Sequence, residues 1–349
     1  MEQKITKCVK VGNLTIGGGA PVSIQSMLNV PASDLAGNRK QAIALEQAGC
    51  EILRFAVPTL QDVRLVSALK EVTTLPLVAD IHFDHKIALA CIEAGVDKVR
   101  INPGNIGSAE GVKAVVSACR ERNIPIRIGV NSGSVSKEIL AKFGGPTPEA
   151  LCASAMEHVH LLEDEQFDDI VISIKSSRVD QMVKAYRLMR SMVDYPLHLG
   201  VTEAGTAYMG LVKSAMGIGS LLVDGIGDTI RVSLTADPVE EIKAAKAILG
   251  GLSLRSFGPK ITSCPTCGRT KIDLIGLAEK VEKALSDCKK DITVAVMGCA
   301  VNGPGEAREA DVGVAGGNGE GLLFIKGEIV KKVPEEEIIP ALIALIETL

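Results

Sequence analysis

Ile52–Asn102 reads ILRFAVPTLQDVRLVSALKEVTTLPLVADIHFDHKIALACIEAGVDKVRIN. Three short apolar, β-branched runs, Ile52–Val57, Leu77–Ile81 and Lys98–Asn102, alternate with two stretches of helical periodicity, DVRLVSALKEV and KIALACIEAG. Apolar runs without strict alternation are the pattern of strands covered on both faces. The second helical stretch ends at Gly95, and an earlier one, RKQAIALEQAG, at Gly49, where a left-handed cap residue is expected.

The same unit recurs on both sides. A strand at Val22–Met27 precedes it, and strands at Ile126–Asn131, Ile170–Lys175, Leu197–Thr202 and Thr229–Leu234 follow. Eight strand–helix units within about 235 residues fit an α/β fold of the (β/α)₈ TIM type better than an open doubly wound sheet. No GxGxxG fingerprint competes; Gly217-Ile-Gly219 comes nearest, with Leu222 in the third glycine position. Ahead of the first strand, VKVGNLTIGGG reads as a hairpin with a Gly-Asn turn, placed to plug the bottom of a barrel. The last barrel helix, Pro238–Leu249, has Asp237 as N-cap, Pro at its first position and Gly250-Gly251 behind it.

These signals predict a barrel domain over 1–252 and a second, α+β domain over 253–349, with GGLSLRSFGPKITS as linker. The second domain reads as a CPTCG turn, an amphipathic helix over Asp273–Ser286, and an apolar strand at Thr293–Met297. A Gly-rich stretch, CAVNGPGEAREADVGVAGG, then leads to two short strands and a helix after Pro334.

Composition removes several function classes. The 349 residues are 46% hydrophobic and 23% charged, as in globular proteins. With 3% aromatics, no Trp and a net charge of −4, neither a base-stacking surface nor a basic field for nucleic acid is expected. IIPALIALI is the longest apolar stretch worth testing and falls far short of the roughly 18 residues of a membrane span. MEQKITKCVKVGN lacks an apolar secretory core, so a cytoplasmic location is expected. There, nine cysteines, an odd number, are thiols or ligands rather than a disulfide framework.

A parallel barrel directs chemistry to the C-terminal ends of its strands. Those ends carry Arg54, Asp80 with His82, Arg100 with Asn102, Arg127 leading to Asn131, Lys175, Glu203, and Arg231 with Ser233. Four Arg and one Lys inside apolar strands are costly unless something anionic faces them. The strands supply few carboxylates there, Asp80 and Glu203, and guanidinium forks match phosphate oxygens. The pattern predicts a phosphorylated small molecule. His82 reads as a hydrogen-bonding or acid–base residue, and His198 as a satisfied interior histidine or a minor substrate contact.

Among the cysteines, Cys264-Pro-Thr-Cys267-Gly stands apart. A CxxC knuckle followed by Gly makes a tight turn with N–H groups aimed at thiolate sulfur, a geometry shared by zinc and iron sites. Cys299, where a strand breaks into MGCAVNGPGEA, is the third thiolate. Spacing leaves the fourth ligand open. Cys288, in SDCKKD, would complete a closed structural zinc. Glu306, seven residues after Cys299, would suit a catalytic iron–sulfur cluster, because oxygen is the poorer match for cluster iron and yields its place to substrate. Cys8, Cys50, Cys91, Cys119 and Cys152 read as buried, inert thiols.

The runs CPTCGR (264–269) and MGCAVNGPGEAREADVG (297–313) closely resemble the C-terminal domain of the bacterial two-domain 4-hydroxy-3-methylbut-2-enyl diphosphate synthases. VSIQSM, ADIHFD, KVRINPGNIG, IRIGVNSGS and GVTEAG are similar to that family's barrel. The resemblance implies a [4Fe–4S] oxidoreductase of isoprenoid biosynthesis, on the methylerythritol phosphate route. It would open and dehydroxylate 2-C-methyl-D-erythritol 2,4-cyclodiphosphate with two electrons from a flavodoxin or ferredoxin. Carried over by position, Cys264, Cys267, Cys299 and Glu306 would hold the cluster. Arg54, Arg100, Arg127, Lys175, Asn131 and Ser233 would bind the diphosphate, with Asp80, His82, Asn102 and Arg231 around it. Glu203, a proton donor, and Asn302 would lie near the reacting carbon–oxygen bond. The family also implies a homodimer in which one chain's cluster domain caps its partner's barrel. The competing reading from the residues is a barrel phosphate-ester lyase or aldolase, with Lys175 as Schiff-base amine and a zinc ribbon as appendage. A zinc-ribbon scaffold protein is the non-enzymatic rival; the cationic strand ends argue against it.

Overall fold

In the computed structural model, which describes residues 5–102, 106, 108–299 and 307–349, the chain begins with the expected hairpin. Val9–Val11 (β1) pairs antiparallel with Leu14–Ile16 (β2) through the two-residue turn Gly12-Asn13. Gly12 sits at φ +58°, the left-handed first position that a type II′ turn requires. The hairpin's Val9, Val11 and Ile16 pack against Ile52, Val78 and Val171 from the barrel strands, all at most 1% exposed. The barrel floor is therefore an apolar plug.

Eight parallel strands follow: Ser23–Met27 (β3), Ile52–Ala56 (β4), Leu77–Asp80 (β5), Lys98–Ile101 (β6), Ile126–Asn131 (β7), Ile170–Lys175 (β8), His198–Leu199 (β9) and Thr229–Ile230 (β10). They are ordered β8-β7-β6-β5-β4-β3-β10-β9, and an isolated Ile172–Leu197 bridge links the two ends, so the barrel is nearly closed. All eight predicted strands are present. The last two are shorter than the apolar runs suggest. At Gly200 the backbone passes so close to the Arg231 carbonyl that a Cβ would lie 2.7 Å from its oxygen, and regular pairing stops just before it.

Helices alternate with the strands: Leu35–Ala48 (α1), Arg64–Lys70 (α2), His85–Glu93 (α3), Ala109–Glu121 (α4), Lys137–Phe143 (α5), Pro148–Glu163 (α6), Val179–Met192 (α7), Ala207–Val223 (α8) and Pro238–Gly251 (α9). The short α5 is an addition to the regular alternation, between β7 and α6. Side chains of Asp34, Asp84, Ser108, Ser136, Thr147 and Asp237 cap helix N-termini by accepting backbone N–H groups. Gly49 closes α1 in the left-handed region. The helix after Asp237 runs through Gly250 and Gly251 instead of stopping before them.

The chain divides into two compact units, Met1–Leu254 and Arg255–Leu349. The second contains a five-stranded sheet of Lys260–Ser263 (β11), Thr293–Met297 (β12), Val312–Gly316 (β13), Glu320–Ile325 (β14) and Glu328–Pro334 (β15), in that order. Strands β11, β12 and β13 are parallel, and the last two pairings are antiparallel. Leu274–Ala284 (α10) and Ile338–Glu347 (α11) cover one face through Leu277, Val281, Leu342 and Ile346 against Val294, Val296, Val312 and Val314.

Two expectations are corrected here. The stretch assigned to a linker supplies β11, an exposed edge strand whose apolar signal is a single Ile261. The Gly-rich stretch ends in a fully buried strand, β13. Its Gly313 is required because a Cβ there would lie 2.4 Å from Phe324 and 2.5 Å from the Ala295 carbonyl oxygen.

Ile16 is fully buried in the plug. Ile16→Ala is expected to destabilise the barrel by about 2–5 kcal/mol. Urea unfolding measures this, and a loss below about 1 kcal/mol would mean the hairpin is not part of the cooperative core.

Candidate active site

Successive side chains on a strand alternate between its faces, so Lys98 and Arg100 share the inward face of β6. The interiors of TIM barrels are usually layers of branched apolar side chains. Above the plug this one is polar. Arg54, Arg100 and Arg127 are 8%, 7% and 1% exposed. Together with Gly129, Asn131 and Ser173 they line a cavity of about 130 Å³ at the C-terminal end of the strands. Lys175, Thr202, Arg231 and Ser233 complete the wall. Seven of the predicted binding residues thus meet around one space.

Two carboxylates organise the cations. Asp80, 1% exposed, accepts from Arg54 Nη2 at 2.5 Å through one oxygen and from Arg100 Nη1 at 3.2 Å through the other. Burial raises the Asp80 carboxyl; the Arg54 and Arg100 guanidiniums outweigh it and hold the group well below the usual carboxylate range. Arg100 also donates to the Gly129 carbonyl at 3.1 Å. The second carboxylate is Glu241 on α9, which takes Arg231 Nε and Nη2 at 3.3 Å and the Ser26 hydroxyl at 3.0 Å. Glu241 was not expected from the strand ends. Its one sequence signal is an acidic residue at a core-facing position of a helix.

Other predicted residues stand further out. His82 is half-exposed, with Nε2 3.8 Å from Asp80. Asn102 is buried, and its side-chain oxygen has no partner among the described residues. Glu203, expected among the inward carboxylates, is exposed on the loop after β9, at φ +51°. A non-glycine residue in that region stores local strain of about 1–3 kcal/mol.

Further polar groups are buried in the barrel interior. Lys98, Gln25 and His198 are at most 1% exposed. Gln25 accepts from Arg127 Nη1 at 3.5 Å. The expectation of a satisfied His198 is corrected: both its ring nitrogens lack partners among the described residues. Burial, then Arg127, Lys175, Lys98 and Arg54, hold its imidazole neutral. Lys175 is likewise pushed well below the ordinary lysine range by burial and then by Arg231, Arg54, Arg127 and Arg100.

In the second unit the thiols sort by surroundings. Cys264 follows β11 directly and Cys299 lies two residues beyond β12; the strands are parallel, with Ser263 opposite Val296. Both cysteines therefore leave the same end of the sheet. The Gly298 N–H donates to Cys264 Sγ at 3.2 Å, and Cys267 N–H donates to Thr270 Oγ1 at 3.2 Å. The Arg269 backbone N–H holds the exposed Cys267 thiol below its ordinary range. Cys288 is at the other end: its carbonyl oxygen abuts Gly258, ahead of β11, which extends away from it for four residues, about 13 Å. It packs on the apolar core. Among the described residues, no group of three or more His, Cys, Asp or Glu side chains is gathered for a metal ion. Asn302 and Glu306 lie outside the described residues. Cys50, Cys91, Cys119 and Cys152 are buried, with thiols raised to about 12 by burial, whereas Cys8 is exposed, contrary to expectation.

Comparison with known proteins extends the picture over the whole chain. The GcpE TIM-barrel domain matches residues 6–246 and the GcpE protein C-terminal domain residues 260–348. A Clostridium perfringens protein named 4-hydroxy-3-methylbut-2-en-1-yl diphosphate synthase (flavodoxin) is 60% identical over 352 residues, covering 100% of both chains. The Geobacter sulfurreducens protein of the same name is 56% identical over 342 residues, 98% of this chain and 97% of its own. Among solved structures, a Xanthomonas albilineans dihydropteroate synthase is similar with a TM-score of 0.51 at 12% identity, over 71% of this chain and 98% of its own, a likeness of fold alone. With the barrel and C-terminal domains both matched, and relatives aligned from end to end, the chain belongs to the GcpE family.

Proposed function

We propose that this chain is a 4-hydroxy-3-methylbut-2-en-1-yl diphosphate synthase that reductively opens and dehydroxylates 2-C-methyl-D-erythritol 2,4-cyclodiphosphate. The observation that carries the reading is the surplus of guanidinium charge around one cavity at the barrel's C-terminal end.

The cyclic diphosphate is a dianion. Arg54, Arg100 and Arg127 offer paired N–H donors to its phosphate oxygens; Asn131 and Ser233 add neutral hydrogen bonds, and the Lys175 amine and the Arg231 guanidinium complete the ring of donors. Breaking the ring carbon–oxygen bond leaves a phosphate oxyanion, and preorganised cations meet that developing charge without reorganising. Asp80 fixes the directions of Arg54 and Arg100, and Glu241 fixes Arg231. His82 and Asn102 complete the surroundings. Glu203, on its exposed turn, supplies the proton with which the hydroxyl departs as water.

The residues of the C-terminal unit fit a thiolate-bound cluster, since backbone N–H groups face the sulfurs of Cys264 and Cys267. Cys264, Cys267 and Cys299, with Glu306 assigned by resemblance, would hold a [4Fe–4S] cluster that would supply the electrons one at a time, and Asn302, likewise assigned by resemblance, would face the reacting carbon–oxygen bond. The electrons come from flavodoxin, as the relatives' names suggest, or from a ferredoxin. The aldolase reading with a closed zinc ribbon is not favoured, because Cys288 lies at the wrong end of β11 to complete a four-thiolate site.

We assign a homodimer. α8 carries Tyr208, Leu211, Met216 and Val223, between 38% and 75% exposed, an apolar surface available to a second copy. Among the described residues no helix is long and apolar enough to cross a membrane. The proposed location is the cytoplasm, where thiols stay reduced.

Protein purified without oxygen is expected to contain about four irons and four acid-labile sulfides per chain. One zinc and no sulfide would overturn the reductase reading.

Asp80→Asn removes the one carboxylate that, among the described residues, pairs with the buried Arg54 and Arg100 guanidiniums, and is expected to cost about 3–5 kcal/mol of stability while abolishing most turnover. Because the folded-state value of Asp80 is depressed, its stabilisation is present above the unfolded value near 3.9 and is lost as pH falls through the folded one. Acid unfolding of the variant should lack that component; an unchanged acid limb would remove the role of Asp80.

Met216→Asp is expected to convert a dimer to monomers in light scattering, and a dimer that survives would move the interface elsewhere.

A further inference from the structure

The mechanism leaves several buried titratable groups unused, Lys98 and His198 in the barrel interior among them. Lys98 is fully buried, and its Nζ has no hydrogen-bond partner among the described residues. It sits one inward position below Arg100 on β6, about 6.6 Å along the strand. Arg54 from β4 and Arg127 from β7 act on it directly. Lys175 on β8, His198 on β9 and Arg231 after β10 add further positive or neutral groups, and Gln25 on β3 is uncharged. On β5, both Asp80 oxygens are already engaged by Arg54 and Arg100. Glu241 is engaged by Arg231 and Ser26. Below, the plug presents the apolar Val9, Val11 and Ile16.

An ammonium in these surroundings would have three unsatisfied donors and cations for neighbours. Losing the proton is the smaller cost. Burial, then Arg127 and Arg54, push the amine well below the ordinary lysine range. The guanidiniums keep their protons. Four of them against two carboxylates leave two positive charges, which a dianion in the cavity balances. The repulsion acting on Lys98 is then cancelled from above. At about 7 Å and an effective dielectric constant of 20, each negative charge raises the proton affinity of an amine roughly fiftyfold.

We propose that Lys98 is a proton store beneath the substrate cavity: a neutral amine in the empty barrel, it takes one proton from solvent when a dianion seats among Arg54, Arg100 and Arg127, and returns it when the anion leaves. The proposal rests on the reading of the cavity as a diphosphate site and adds a function there. It also suits the chemistry, since opening a cyclic diphosphate frees a third ionisable oxygen, and a protonated floor meets the more negative product. Lys98 is a positioning residue of charge and touches no reacting atom.

The test uses the full chain and sodium sulfate, an anion with no proton to exchange near pH 8. Proton uptake is followed in unbuffered solution against a sodium chloride blank, with binding measured by calorimetry. Wild type is expected to take up about one proton more per sulfate bound than Lys98→Met, and its sulfate affinity should fall with pH up to tenfold per unit more steeply. Without sulfate, wild-type stability should rise with pH towards the unfolded lysine value near 10.4, because the unfolded chain binds the extra proton, and Lys98→Met should lose that rise. If Lys98→Met does not fold, Lys98→Gln serves the same comparison. Equal uptake in wild type and a variant that binds sulfate overturns the role of Lys98 and leaves the anion site standing. No sulfate binding by wild type overturns both.

Discussion

Asp80 holds two guanidiniums in the middle of a barrel whose interior would ordinarily be hydrocarbon. Each of its oxygens has its own arginine, so the pair of cations is fixed in direction as well as compensated in charge. Removing water from such groups is expensive, and a single carboxylate cannot balance them all. The remaining surplus persists because the fold is stabilised elsewhere. The outward faces of the strands pack on the helices, and the lower end is sealed by Val9, Val11 and Ile16. Apolar burial has been displaced from the middle of the barrel to its outside and its base.

That displacement explains why the barrel was legible in the sequence. With helices covering their outer faces and the barrel interior their inner ones, strands such as Ile170–Lys175 show apolar runs broken only by the inward residues that carry chemistry. The expected strand limits fall within about two residues of the observed ones for the first six strands. The C-terminal unit was less legible because its signals are not local. Strand β11 has one apolar side chain and is defined by pairing with β12. Strand β13 looks like a loop because glycine occupies two of its five positions, and only the approach of Phe324 shows why.

The same distinction holds at the site. Basic residues inside apolar strands announced the cation cluster, because few structural reasons place arginine there. Their partners were not announced. Glu241 is one of two adjacent glutamates at the start of a helix, and nothing local says that it reaches Arg231. Lys98 shares a face with Arg100 by the two-residue period, a signal present in KVRIN that a search confined to strand ends passes over. Glu203 was grouped with the inward carboxylates by position, yet the left-handed turn leaves it on the outside. The thiols divide in a comparable way. Spacing left Cys288 and Glu306 as equal candidates for a fourth ligand, and the path of β11 is what separates Cys288 from Cys264.

A barrel alone says little about chemistry. The dihydropteroate synthase likeness, at 12% identity, reaches the architecture and stops there, as expected when function resides in a site carried by a common fold. What distinguishes this barrel is the sign and placement of its buried charge. Cations facing a small cavity with weak solvent screening attract a compact polyanion far more strongly than the same residues would on a surface. They also respond to a change in its charge, because every titratable group within one strand layer feels it. A carboxylate at each cation would have made a more stable barrel and a poorer binding site. The unpaired charge near Arg127 and Lys175 is therefore best understood as stability given up to keep the cavity electrostatically open to substrate.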